Sequence, residues 1–68
     1  MPDKHVHIDK VERCIFEIIE LANRILDACL DGTRYSMDEY SLIFFGTARD
    51  YAFRIKKLAD EVLKKRHE

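Results

Sequence analysis

Apolar residues recur at alternating three- and four-residue steps along two stretches of the chain, the period of helices that pack on other helices. In the first, Ile8, Val11, Ile15, Ile18, Ala22, Ile25 and Cys29 form a stripe. Cys14, Leu21 and Ala28 widen it on one side, Ile19 and Leu26 on the other. A two-stranded seam needs only the central stripe, so the helix expected over residues 8–30 has apolar surface for two neighbours. Its wet side carries Glu12, Arg13, Glu17, Glu20, Asn23, Arg24 and Asp27, with Glu20 and Arg24 as an i,i+4 pair in the favourable order.

The second stretch predicts a helix over residues 36–66. Ser36 followed by Glu39 reads as a capping box, with Tyr35 and Tyr40 at the two staple positions. Asp38 and Glu39 in the first turn, and Lys64, Lys65 and Arg66 in the last, complement the helix dipole. Behind the cap, Phe44, Ala48, Tyr51, Ile55, Leu58 and Val62 form the stripe, and Phe45, Ala52 and Ala59 repeat every seventh residue beside it. Gly46 costs about 1 kcal/mol in a helix interior relative to alanine. Either a neighbouring backbone comes close there or the helix breaks with Thr47 capping a second segment; a continuous helix is expected.

Between the two stretches, Asp31-Gly32-Thr33-Arg34 is the one turn the chain offers, with Gly32 suited to a left-handed helix end. So short a connection folds the helices back antiparallel. The expected fold is all-α: one helical-hairpin domain spanning residues 1–68, with residues 1–7 as a frayed lead-in. Leu42-Ile43-Phe44-Phe45 is apolar on nearly every side, and an isolated hairpin would leave part of it in water. Two hairpins are therefore expected to dimerise into a four-helix bundle, with Leu42, Phe44, Phe45, Ala48 and Ala52 at the interface.

Size points the same way, because a chain of 68 residues buries only about 60% of the surface it exposes when unfolded. A formal net charge of −1 does not advertise a nucleic-acid partner. Locally the balance differs: residues 54–68 hold six basic and three acidic side chains. Arg49, Arg54, Lys56, Lys57, Lys64, Lys65 and Arg66 are the residues through which nucleic acid would be bound. No apolar run reaches the roughly 18–20 residues of a bilayer span, and the first residues lack the basic and apolar regions of a signal peptide. A cytoplasmic protein without membrane contact is expected.

Candidate chemistry is sparse. Cys14 and Cys29 lie about 22 Å apart on one helix, so they are expected to be small buried hydrophobes, with an intermolecular disulfide as the alternative. His5-x-His7, with Asp3 or Asp9, lacks the remaining ligands of a zinc or nickel site. Glu17-x-x-Glu20 resembles the carboxylate pairs of helical pyrophosphohydrolases and di-iron bundles, but both glutamates fall on the wet side. No histidine lies within either helix. No catalytic, cofactor or metal residue is assigned, and enzyme activity is not expected.

Tyr35, Leu42, Phe45, Ala48 and Asp50 have the order and spacing of a helix start in the Hha/YmoA nucleoid-modulator family, which this quarter of the chain resembles. The His-Arg that follows the aspartate there is Tyr51-Ala52 here, and the tail is unlike. No functional residue carries over.

Two functions follow as expectations. The first is a small oligomeric protein–protein interaction module, an adaptor, regulator or chaperone, that pairs with itself and contacts another protein through Phe16, Phe53 and Leu63. The alternative is a DNA-associated regulator using the basic half of the second helix.

Overall fold

Residues 9–68 are described by a computed structural model, in which two α-helices pack against each other as a hairpin. The first, α1, spans Lys10–Tyr35. The second, α2, spans Glu39–Arg66 and runs without a break through Gly46. Gly32 near the end of α1 meets Phe45 near the start of α2, and Asp9 before α1 meets Arg66 at the end of α2, so the helices are antiparallel. His5 and His7, the pair that lacks the remaining ligands of a metal site, lie outside the described residues.

Both helices start on an aspartate. Asp9 caps α1 by accepting from the Glu12 amide at 2.8 Å, and Asp38 caps α2 by accepting from the Ser41 amide at 2.8 Å. The Ser41 hydroxyl adds a bond to the other Asp38 oxygen, also 2.8 Å. Each of the two amide bonds satisfies a first-turn backbone donor that has no partner within its helix. The Ser36–Glu39 capping box does not form, because Ser36 lies at the end of α1 rather than at the start of α2. Its hydroxyl instead donates to the Gly32 carbonyl at 2.6 Å.

That bond belongs to the largest departure from expectation at the turn: α1 continues to Tyr35 rather than stopping near Leu30. Gly32 is a helical residue and not a left-handed cap. Its missing side chain makes a notch that the Phe45 ring occupies, since a Cβ at position 32 would stand 2.5 and 2.6 Å from Cε1 and Cε2 of that ring. The packing of an aromatic ring onto bare backbone offsets the helix-propensity cost of the glycine.

Down the hairpin, the residues that meet are small. Ala22 and Cys29 from α1, with Ala52 and Ala59 from α2, are the buried apolar residues. Ile15, Ile19 and Leu26 on one helix, and Phe45, Ala48 and Leu63 on the other, are half-buried around them. The contact therefore uses the Phe45-Ala52-Ala59 column and not the centre of the α2 stripe. An alanine column lets the two backbones approach closely, whereas the branched and aromatic residues beside it would hold them apart.

The two glycines sit mid-helix in opposite surroundings, because a Cβ on Gly46 would meet nothing within 4 Å. Gly46→Ala is expected to stabilise the fold by about 0.5–1 kcal/mol. Gly32→Ala gains the same propensity but displaces the Phe45 ring, and is expected to destabilise by about 1–2 kcal/mol net. Denaturant unfolding at one fixed protein concentration checks both; shifts of the same sign would contradict this account.

Candidate functional site

With alanines and a cysteine filling the seam, the bulk of the apolar stripe is left on one side of the hairpin. Ile15 and Ile18 of α1, with Ile55, Leu58, Ala59 and Val62 of α2, line a shallow groove of about 200 Å³. Helical spacing continues this surface from Ile18 to Val11, Leu21 and Ile25, and from Leu58 to Tyr51 and Phe44. Apart from the half-buried Ile15, the large side chains of this face are between 37% and 65% exposed. Cys14 is exposed in the same column as Leu21 and Ala28, while Cys29 is buried in the seam.

Of the residues expected at an interface between copies, Phe44 belongs to this face, its ring packed edge-on against Phe45 with centroids 5.3 Å apart. Phe45, Ala48 and Ala52 instead face α1 within the chain, where they form the hairpin seam. Leu42 shares the opposite edge of α2 with Arg49 and Phe53, by steps of seven and four residues. There Arg49, Phe53, Leu26, Cys29 and Leu30 border a second depression of about 310 Å³, together with Asp27 and Thr33. Phe16 and Phe53 are exposed as expected residues for a partner, whereas Leu63 is half-buried.

The basic residues do not gather on one face. Lys57 and Lys64 follow one line of α2, Arg54 and Lys65 a second, and Lys56 a third, with Asp60 and Glu61 between them. Arg49 pairs with Asp50 at 3.6 Å, and the Arg54 guanidinium lies 5.5 Å from the centroid of the Tyr51 ring. Arg66 is engaged at the open end of the hairpin. Its Nη2 donates to Asp9 at 2.5 Å, its Nε stands 3.7 Å from Glu12, and His67 Nε2 stands 2.8 Å from the same Glu12 oxygen. Glu12 thus faces α2 rather than open solvent. The sequence signal for this clamp is the aspartate at position 9 with a glutamate three residues on, a helix-start signature in its own right.

Among the described residues no group of three or more His, Cys, Asp or Glu side chains could hold a metal. Glu17 and Glu20 are exposed and border a shallow depression with Arg13, Phe16 and Ile19. Among the described residues no helix is long and apolar enough to cross a membrane.

No family model, curated protein or solved structure matches the chain. The Hha/YmoA-like spacing therefore carries no family assignment.

The two capping carboxylates give the hairpin an acid limit. The Glu12 amide, with Arg66 adding to it, holds Asp9 below its ordinary pKa, and the Ser41 amide and hydroxyl do the same for Asp38. A carboxylate whose pKa is lowered by folding contributes stability that is present above its unfolded value of about 3.9 and is lost as pH falls through the folded value. Helicity is expected to hold above about pH 5 and to fall below about pH 4. Asparagine caps about as well as aspartate without titrating. The Asp9→Asn, Asp38→Asn double variant should therefore show a shallower acid limb by circular dichroism; an unchanged limb would remove these groups from the account.

Proposed function

We propose that this protein is a small self-associating interaction module, in which two hairpins pair through the broad apolar face into a four-helix bundle whose outer surface carries Phe16 and Phe53 toward another protein. One observation supports the reading above the rest: among the described residues none that is buried is larger than a cysteine, while Tyr51, Ile55, Leu58 and Val62 are half-exposed beside Ile18, Leu21 and Ile25. A hairpin closed on alanines gains little from burial, at about 0.8 kcal/mol per methylene-sized group. The exposed face is the larger reserve. Taking each half-exposed side chain at roughly 70–140 Å², it offers on the order of 800 Å² per chain, which is the share of one partner in a standard-size interface.

Light scattering from low to high micromolar concentration tests the pairing, with a mass of twice 8.1 kDa expected. Leu58→Asp, which would bury an unpaired charge, is expected to weaken association by roughly a hundredfold or more. Phe53→Asp places the same charge on the outer surface and should leave the mass unchanged. Alkylation of Cys14, which lies on the pairing face, should slow as the protein is concentrated. A single-chain mass throughout, with cooperative unfolding that does not depend on concentration, would overturn the proposal.

A further inference from the structure

Two hairpins laid face to face under a two-fold axis have two aligned arrangements. With the axis along the bundle, both turns lie at the same end and α1 of one copy faces α2 of the other. With the axis across the bundle, the hairpins run antiparallel, and α1 faces α1 while α2 faces α2. The charges along the outer rims of the apolar face distinguish them.

On α1 the rim is Lys10, Glu17, Arg24 and Asp31, every seventh residue and alternating in sign, in the column next to Cys14, Leu21 and Ala28. On α2 the matching rim holds Arg54 and Glu61, also seven apart, with Lys65 one turn beyond Glu61 on the line of Arg54. All seven are exposed, and among the described residues none makes an ion pair within its own chain. The hairpin register, with Gly32 beside Phe45 and Glu12 beside Arg66, sets Glu17 level with Glu61 and Arg24 level with Arg54. In the arrangement with turns together, those levels meet across the interface, and like charge faces like at each one. In the antiparallel arrangement, an axis crossing beside Leu21 brings Glu17 against Arg24 of the second copy and Lys10 against Asp31 of the second copy. The same axis, to within a residue, brings Arg54 against Glu61 of the second copy.

Resting on the pairing proposed above, we infer that the second copy docks antiparallel, α1 on α1, in the register fixed by the Glu17–Arg24 contacts. The axis repeats every contact, so one reversal changes two pairs. The apolar face supplies the attraction; the rim charges select the orientation.

Dimer dissociation constants for Glu17→Arg, Arg24→Glu and an equimolar mixture of the two, measured by sedimentation at low ionic strength, test this. Each variant alone sets like charges together twice and is expected to dissociate about tenfold more readily than the unsubstituted chain. The mixture restores both attractive contacts and should return to the original affinity. With turns together the signs invert, because either reversal would place opposite charges against Glu61 or Arg54 of the second copy and tighten the dimer. Tightening or no change in the single variants, or a mixture no tighter than its components, overturns the orientation while leaving the pairing intact. A single-chain mass for the unsubstituted protein removes both.

Discussion

The close approach of two backbones along a column of small side chains is the constraint on which this structure depends. Ala22, Cys29, Ala52 and Ala59 let α1 and α2 meet, and Gly32 extends the approach to the turn, where the Phe45 ring takes the space a side chain would fill. Alanine contributes little apolar area, so intimacy here comes at the expense of burial. The large side chains are displaced to the flank. The same choice that brings the helices together thus creates the surface on which the proposed function rests.

Much of this organisation is legible in the chain. Two helical stripes and a short connection define an antiparallel hairpin, and their combined width exceeds what one helix pair covers. The part of each stripe that faces the neighbour within the chain is less legible. Periodicity marks an apolar arc on α2 running from Leu58 and Tyr51 through Phe44 to Phe45 and Ala52, but a period does not rank positions within so wide an arc. Side-chain volume does: the alanine column goes to the seam because only there do the backbones come close. This is why Ala48 and Ala52 lie inside the hairpin; Phe45, as large as the exposed Phe44, is inside because the bare backbone of Gly32 receives its ring.

The turn misleads for a related reason. Asp-Gly-Thr-Arg followed by Ser-x-x-Glu has the local grammar of a helix stop and a helix start, and both readings are reasonable from propensity alone. Tertiary packing overrides them, because Gly32 continues α1 as a helical residue and the Phe45 ring seats against it. Asp38 then begins α2, and Ser36 closes α1. A long-range contact that converts a punctuation residue into a packing residue leaves no trace within the few residues around it.

The clamp of Asp9 and Glu12 on Arg66 and His67 fixes where the hairpin can be extended. It sets the entry to α1 beside the exit from α2, so within one hairpin Asp9 and His67 share a pole opposite Tyr35, Met37 and Tyr40. A single hairpin is a rod that can be held by one end; an antiparallel pair would be held by both.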